Sequence, residues 1–177
     1  MSTSLKDRKA TTWLAGISQT ERDVDTIFSL VSPTLYQSAT RATEKIKDEK
    51  AHPNVGDWPC SFSGLAVISN RKTLDHRDAG GCHEWYDLLV AAGTYQKAYL
   101  DIWDIGARFE YQPGTAIAVC GKLFKHAVYE WEGGERLCYA HYMRNNVLDR
   151  LHMEKSGWVN EDYYTQWMSK GFLRRRM

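Results

Sequence analysis

Between residues 64 and 144 the chain repeats one pattern: a short apolar segment followed by residues that form tight turns. The segments are rich in aromatic and β-branched residues, and turn formers such as Gly93-Thr94 and Gly133-Gly134 separate them. Strands this short and this closely spaced predict a compact antiparallel barrel or sandwich. The expected strands are 64–69, 85–92, 97–104, 107–111, 115–120, 126–131 and 136–144.

Helical patterns flank these strands. Apolar residues recur at helical spacing in 21–31, and Ser32-Pro33 predicts the start of a second helix that runs to about Lys50. After the strands, residues 160–172 again carry aromatic side chains at helical spacing. We therefore expect an α+β fold, with a helical part over 1–58, a barrel core over 59–145 and a helical, basic tail over 146–177. Trp13 and Trp58 are expected in loops, where they could contact nucleic acid.

Length and charge limit the classes of protein to which the chain can belong. A chain of 177 residues is the size of one domain. With 23 Lys and Arg against 22 Asp and Glu, the net charge of +1 excludes a histone-like protein, although a local basic patch could still bind nucleic acid. No apolar run is long enough for a bilayer, and the first ten residues do not resemble a secretory signal. We expect a soluble intracellular protein.

The four cysteines are Cys60, Cys82, Cys120 and Cys138, and no two of them form a C-x-x-C pair. In an intracellular chain this spacing favours buried free thiols over disulfides or a zinc site. Only Cys82-His83, next to the flexible Gly80-Gly81, offers an alternative metal site.

The residues that indicate chemistry most clearly are His76 and Asp78, with His126 fifty residues further on. An H-x-D pair at a strand end places an imidazole and a carboxylate on the same side, and a barrel can bring His126 to them. Two histidines and one carboxylate leave three positions open on an octahedral ion, as in non-haem Fe(II) oxygenases. By itself, H-x-D is also found among surface polar residues. Arg136 can point into the same cavity and hold one end of a dicarboxylate.

Five segments of the chain, some of which contain these residues, carry the motifs of a known protein family. They are 70–78 (NRKTLDHRD), 85–89 (WYDLL), 106–116 (GARFEYQPGTA), 120–126 (CGKLFKH) and 133–145 (GGERLCYAHYMRN). Together they resemble the TET/JBP group of 2-oxoglutarate- and Fe(II)-dependent DNA dioxygenases, and most closely its short fungal-type members. The resemblance covers roughly residues 60–150.

The resemblance implies a double-stranded β-helix barrel of the jelly-roll or cupin type, with N-terminal helices packed on it and a C-terminal helix. It implies Fe(II), 2-oxoglutarate and O2 as cofactors, and DNA carrying a methylated base as the partner of a nuclear, monomeric enzyme. The iron ligands fall on His76, Asp78 and His126. Arg136 falls on the position that binds the distal carboxylate of 2-oxoglutarate, and Arg71 on a basic position near the cosubstrate or the DNA.

Alternation along the last strand predicts which residues line the cavity. From Arg136 onward, every second residue shares its face, which includes Cys138, Ala140, Tyr142 and Arg144. We expect Tyr142 to stack on a flipped base and Arg144 to contact a base edge or a phosphate. We also expect a three-residue hairpin loop at 132–134, with Gly134 in the left-handed conformation and His126 opposite Ala140.

Several functions stay open at this stage. The target could be 5-methylcytosine, oxidised to the hydroxymethyl base and further, or N6-methyladenine, or an RNA base. Gly80-Gly81 stand where some cytosine-oxidising members carry an acidic residue, so the sequence does not decide the base. A function of another class is a catalytically silent, cupin-like module that binds nucleic acid.

Overall fold

Two antiparallel sheets enclose a cavity in the computed structural model, which describes residues 9–49, 53–154 and 165. The helices of the described part are α1 (Lys9–Val31), α2 (Pro33–Asp48) and α3 (Asn145–Arg150). Its strands are β1 (Gly64–Ser69), β2 (Thr73–His76), β3 (Asp87–Gly93), β4 (Lys97–Ile102), β5 (Ala107–Glu110), β6 (Ala116–Val119), β7 (His126–Val128), β8 (Trp131–Glu132) and β9 (Arg136–Tyr142).

The strands divide between the two sheets in an order that differs from their order in the chain. One sheet has the order β1-β9-β3-β6, and the other has the order β2-β7-β4-β5, with β8 paired to β4. Apolar residues of both sheets, such as Ala91 and Cys138 of the first and Leu100 and Val128 of the second, meet in one core cluster. This architecture is the jelly-roll barrel with N-terminal helices that the sequence predicts.

Helices α1 and α2 cover the first sheet. Phe28 of α1 and Leu35 of α2 pack in one cluster with Leu88 of β3, and each is at most 1% exposed. Burying an apolar side chain of this size contributes about 1.5–3 kcal/mol. A polar contact joins the same layers, because Nε2 of the buried His141 on β9 lies 3.1 Å from Oε1 of the buried Glu21 on α1.

Both N-terminal helices exist, but α1 is longer than predicted. It begins at Lys9 rather than near residue 21, because Ala10 and Leu14 continue its buried stripe. Trp13 therefore lies in a helix and not in a loop. The helix start at Ser32-Pro33 is confirmed, although the Ser32 side chain makes no capping hydrogen bond. The predicted helix over 160–172 lies outside the described residues.

The predicted pairing of the last hairpin is wrong. His126 of β7 pairs with His76 of β2 and Ile102 of β4, whereas Ala140 of β9 pairs with strands of the other sheet. Strand β9 already has β1 and β3 on its two edges, so it has no free edge for β7. Gly134 does adopt the left-handed conformation, with φ of 34°.

The prediction for the cysteines is confirmed, because all four are buried and carry thiols rather than disulfides. Neither α1 nor any other helix that the structure describes has the length and hydropathy needed to cross a bilayer.

Candidate active site

A cavity of about 240 Å³ lies between the two sheets. Its walls include Leu89 from the first sheet and Leu100 and Val128 from the second, so much of the lining is apolar. The polar side chains that line it come from both sheets and from the loops next to them, and include His76, Asp78, Asp87, His126, Arg136, Tyr142 and Arg144. Cavities of this kind, apolar with a few convergent polar groups, are typical of small-molecule sites.

Three of these side chains converge. His76 ends β2, Asp78 follows two residues later, and His126 opens β7. Nε2 of His76 lies 3.6 Å from Oδ1 of Asp78, and Nε2 of His126 lies 3.8 Å from Oδ2. One potential ligand atom from each residue falls within 4.8 Å of the others, a spacing that can hold one metal ion. No other group of three such residues is found within the described ranges.

Both histidines are oriented through their second nitrogen. Nδ1 of His76 is 2.9 Å from the carbonyl oxygen of Leu74, and Nδ1 of His126 is 3.0 Å from that of Phe124. A carbonyl can only accept, so each Nδ1 carries the proton and each Nε2 is left with a lone pair. Nε2 is the atom that points to Asp78, so the tautomer suits metal binding.

The pKa of His126 supports the same conclusion. Burial lowers this pKa below its usual value and the neighbouring His76 lowers it further, against the opposing effects of the hydrogen bond to the Phe124 carbonyl and of Asp78. Desolvation disfavours a charged imidazole. His126 is therefore neutral at neutral pH, which is the form that binds metals.

Arg136 is a buried cation in this cavity. Its side chain is 1% exposed, and Nη1 donates to the carbonyl of Arg71 at 3.2 Å. Nε has no hydrogen-bond partner, and no carboxylate of residues 9–49 or 53–154 forms an ion pair with the guanidinium. A buried guanidinium without a counter-ion is costly. Arg136 is thus ready to bind an anionic group inside the cavity.

Arg71 contributes to this arrangement through its backbone. It lines the cavity, and its carbonyl accepts from Arg136, but its residue as a whole is exposed. The role that the resemblance implies for its side chain stays a prediction.

Asp87 is a cavity residue that the sequence analysis did not identify. It opens β3, is 7% exposed and contacts Asp78. Burial raises the pKa of Asp87, and the negative charge of Asp78 raises it further. The sequence held one signal for it, a carboxylate at the head of the apolar run 88–92.

The face of β9 that was predicted to line the cavity does so, and Arg144 follows it. The lining residues from this face are Arg136, Cys138, Ala140, Tyr142 and Arg144. His141 and Met143, which alternation places on the opposite face, are among the lining residues too. The ring nitrogens of His141 lie at the Leu88 carbonyl and Glu21. Tyr142 is half-buried, and the exposed Arg144 lies over its ring, with the guanidinium carbon 4.7 Å from the ring centroid.

Three other residues with polar, aromatic or reactive side chains lie outside the cavity. Asp101 is buried and binds the guanidinium of Arg108 through both oxygens, at 2.6 and 3.0 Å, so it is a structural carboxylate. Trp58 donates its indole N–H to the Phe62 carbonyl and packs against the helical core. The thiol of Cys82 donates to Asn145 and takes part in no metal-binding group among the residues described.

Comparison with known proteins identifies relatives of this chain. A family described as the oxygenase domain of the 2OGFeDO superfamily matches residues 3–145. No curated protein sequence matches significantly.

Among solved structures, NgTET1 in complex with 5mC DNA is similar, with 15% sequence identity and a TM-score of 0.59 over 92% of this chain. This chain spans 61% of the length of that structure. A Cupin 2 conserved barrel domain protein from Salinispora arenicola is 18% identical, with a TM-score of 0.37, and covers 50% of this chain and 68% of its own. At such identity the first similarity shows a shared fold, and the second is too weak to carry an argument.

Proposed function

The chain belongs to the TET/JBP family of 2-oxoglutarate- and Fe(II)-dependent oxygenases, and on that premise we propose that it oxidises the methyl group of a flipped, methylated base in DNA. The cofactors of this family are Fe(II), 2-oxoglutarate and O2. The favoured target is 5-methylcytosine, giving 5-hydroxymethylcytosine and higher oxidation states, because the similar NgTET1 structure contains 5mC DNA.

The residues present fit an Fe(II) ion. His76, Asp78 and His126 supply two imidazole nitrogens and a carboxylate, with ligand atoms within 4.8 Å of one another. This donor set is typical of non-haem Fe(II) oxygenases, in which it leaves positions for cosubstrate and O2. When bound, the iron supplies the oxidising chemistry that attacks an unreactive C–H bond, at the expense of 2-oxoglutarate and O2.

One observation carries the proposal furthest: the unpaired Nε of the buried Arg136 in the same cavity as the three ligands. A dicarboxylate chelating the metal would extend its second carboxylate into this cavity, and a guanidinium binds such a group with two donors. Arg136 would hold 2-oxoglutarate at that end, and Arg71 would assist from the rim. The two roles rest on the cavity lining and on the resemblance.

The chain's other residues would orient the substrate and exclude water. Leu89, Leu100 and Val128 give the cavity apolar walls, and an apolar, enclosed site strengthens the electrostatic contacts inside it. A methyl group in a stacked duplex cannot enter a barrel, so the base must flip out. Tyr142 and Arg144, on the same face of the chain as Arg136, would receive it.

A second base fits the same chemistry. With N6-methyladenine, hydroxylation of the N-methyl group would release formaldehyde and leave the free amine. Nothing in the cavity lining favours this base over 5-methylcytosine. We place the enzyme in the nucleus with its DNA, as a monomer in which residues 1–177 form one dioxygenase domain.

Mass spectrometry of defined oligonucleotides tests the proposal. The protein is incubated with Fe(II), ascorbate, 2-oxoglutarate and duplexes that carry one 5-methylcytosine or one N6-methyladenine, and RNA strands of the same sequence serve as further substrates. We expect 5-hydroxymethylcytosine and succinate in the first reaction. Turnover of N6-methyladenine alone would establish the alternative target. DNA binding without succinate formation would indicate the catalytically silent module.

A further inference from the structure

Strand β2 contains a β-bulge immediately before the candidate metal ligands. Two register pairs join it to β7: Thr73 with Val128, and His76 with His126. Three steps along β2 therefore correspond to two steps along β7, so that β2 holds one extra residue, at Leu74-Asp75. An extra residue of this kind interrupts the strand ladder and shifts the alternation of the side chains by one.

The bulge decides which way His76 points. Thr73 and His76 both line the cavity, although they are three residues apart and regular alternation would place them on opposite faces of the sheet. The extra residue between them gives them the same face. In a regular strand, Asp75 would share the face of Thr73 and His76 would point out of the barrel. The position of a metal ligand thus depends on the bulge.

The strand ladder does not hold this bulge. Strand β2 lies at one edge of its sheet and, in the part of the chain that the structure describes, pairs only with β7. No register pair falls between Thr73 and His76, and a bulge leaves backbone groups of the extra residue unpaired. Side-chain contacts must therefore keep Leu74-Asp75 in place.

Asp75 supplies such contacts on the outer side of the sheet. Its Oδ1 accepts from Nε1 of Trp103 at 2.7 Å and from the hydroxyl of Tyr129 at 2.6 Å. Nζ of Lys125 is 3.4 Å from Oδ2. Trp103 follows β4, and the other two donors flank β7, so one carboxylate ties the bulge to two neighbouring strands. Hydrogen bonds to an ionised acceptor are stronger than those between neutral groups.

The residue that follows His76 is held in a similar way. Arg77 donates through Nη2 to Oδ1 of Asp104 at 2.6 Å, and through Nε to the carbonyl of Leu123 at 3.0 Å. His76 thus lies between two residues, Asp75 and Arg77, whose side chains are both bonded outside the cavity. These bonds fix the backbone on each side of the ligand.

We propose that Asp75 is a positioning residue for the metal ion, because its hydrogen bonds fix the bulge that turns His76 into the cavity. The inference deepens the proposed function and rests on it for the identity of the ion. Leu74, whose carbonyl oxygen lies 2.9 Å from Nδ1 of His76, belongs to the same bulge. Asp75 therefore fixes both the place of the imidazole ring and the direction of its Nε2. Replacing residues that orient metal ligands typically lowers metal affinity by about 10- to 100-fold.

The experiment measures Mn²⁺ binding by calorimetry and the visible absorption of the Co²⁺-loaded protein, which reports the number and arrangement of the ligands. Asp75→Ala removes all three contacts. Asp75→Asn keeps an oxygen that can accept from both Trp103 and Tyr129, and Tyr129→Phe removes one donor. Glu49→Ala is the matched control, because Glu49 is also an exposed carboxylate with a 2.6 Å bond, to Arg150 in the helical part. Thermal melting establishes that each variant folds.

We expect Asp75→Ala to weaken Mn²⁺ binding by about tenfold or more and to change the Co²⁺ spectrum. Asp75→Asn should restore binding to within about twofold of the wild type, since its amide oxygen accepts the same two hydrogen bonds. Tyr129→Phe should weaken binding by about threefold, with no further effect in the Asp75→Ala background, because the two side chains act through one bond. Glu49→Ala should leave metal binding unchanged.

Other results overturn the inference. If Asp75→Ala lowers the melting temperature but leaves the Mn²⁺ affinity and the Co²⁺ spectrum unchanged, the carboxylate only stabilises the fold. If Asp75→Asn is impaired as much as Asp75→Ala, the charge and not the hydrogen bonds is responsible. Should Asp75→Ala fail to fold, an unchanged metal affinity in Tyr129→Phe would refute the role equally. If the wild-type protein itself binds neither metal, the proposed function fails, whereas equal binding by wild type and variants refutes the inference alone.

Discussion

His76 and His126 are register partners on β2 and β7, and the centroids of their rings are 4.3 Å apart. Side chains of directly opposed residues leave an antiparallel pair on the same face. A single strand pairing therefore brings together two residues that are fifty positions apart in the sequence. Asp78 completes the group from the loop that follows β2.

Replacing Asp78 should remove most of the bound metal. Asp78→Ala removes the only carboxylate of the three-residue group, so we expect loss of most iron and of all oxidation while the fold survives. Iron content and Mn²⁺ binding by calorimetry measure the first effect, and succinate formation the second. Glu132→Ala, an exposed carboxylate paired with Lys97, is the control and should bind metal normally. Full activity in Asp78→Ala would contradict the iron site.

Gly121 should affect metal binding at the same site, although it has no side chain that could bind the ion. A Cβ on Gly121 would come within 2.7 Å of Oδ2 of Asp87 and closer still to Asp78. We expect Gly121→Ala to displace the Asp78 carboxylate and to weaken Mn²⁺ binding at least tenfold. Gly56→Ala, where the added methyl group meets open space, should bind as the wild type does. Equal metal affinity in the two variants would show that Asp78 is not held as described.

Arg136 should control the requirement for 2-oxoglutarate. Arg136→Met keeps most of the side-chain volume but removes the charged donors, which are worth about 2 kcal/mol to a bound carboxylate. The KM for 2-oxoglutarate should rise about 30-fold, with Mn²⁺ binding unchanged. Arg41→Ala, an exposed arginine on α2, is the control. An unchanged KM in Arg136→Met would refute this role.

The contact between Glu21 and His141 should couple α1 to the barrel. Both are at most 1% exposed, so removing one leaves the other buried without its partner. We expect Glu21→Leu to lower the free energy of unfolding by about 3 kcal/mol. The double variant Glu21→Leu/His141→Leu should recover part of that loss, which urea denaturation can measure. Additive losses would mean that the two side chains do not interact.

Stability should depend on pH through Asp25. Burial raises the pKa of Asp25, although hydrogen bonds from Ser61 oppose the shift. The folded state therefore binds this proton more tightly than the unfolded chain does, and the contribution of Asp25 becomes less favourable as pH rises through the interval between the two pKa values. Asp25→Asn should be more stable than the wild type at pH 7, and this difference should disappear below pH 4. Thermal melts across this pH range measure it.

The sequence predicts the fold and part of the candidate metal site, because these depend on local patterns. The spacing of His76 and Asp78, and the alternation of β9 from Arg136 to Tyr142, follow from backbone geometry. The pairing of His126 depends on which strand edges are free to pair with β7, and no turn motif in the sequence encodes that choice. Asp87 was not recognised for a similar reason, since its importance comes from a contact with Asp78 that no local pattern encodes.

The hydrogen bonds at Nδ1 of the two histidines have a consequence for evolution. Each ring is aligned by a carbonyl two residues earlier in the chain, Leu74 for His76 and Phe124 for His126. Three consecutive residues therefore set the direction of each Nε2 lone pair. Substitutions elsewhere in the barrel can accumulate without turning either ring, provided that β2 and β7 stay in register.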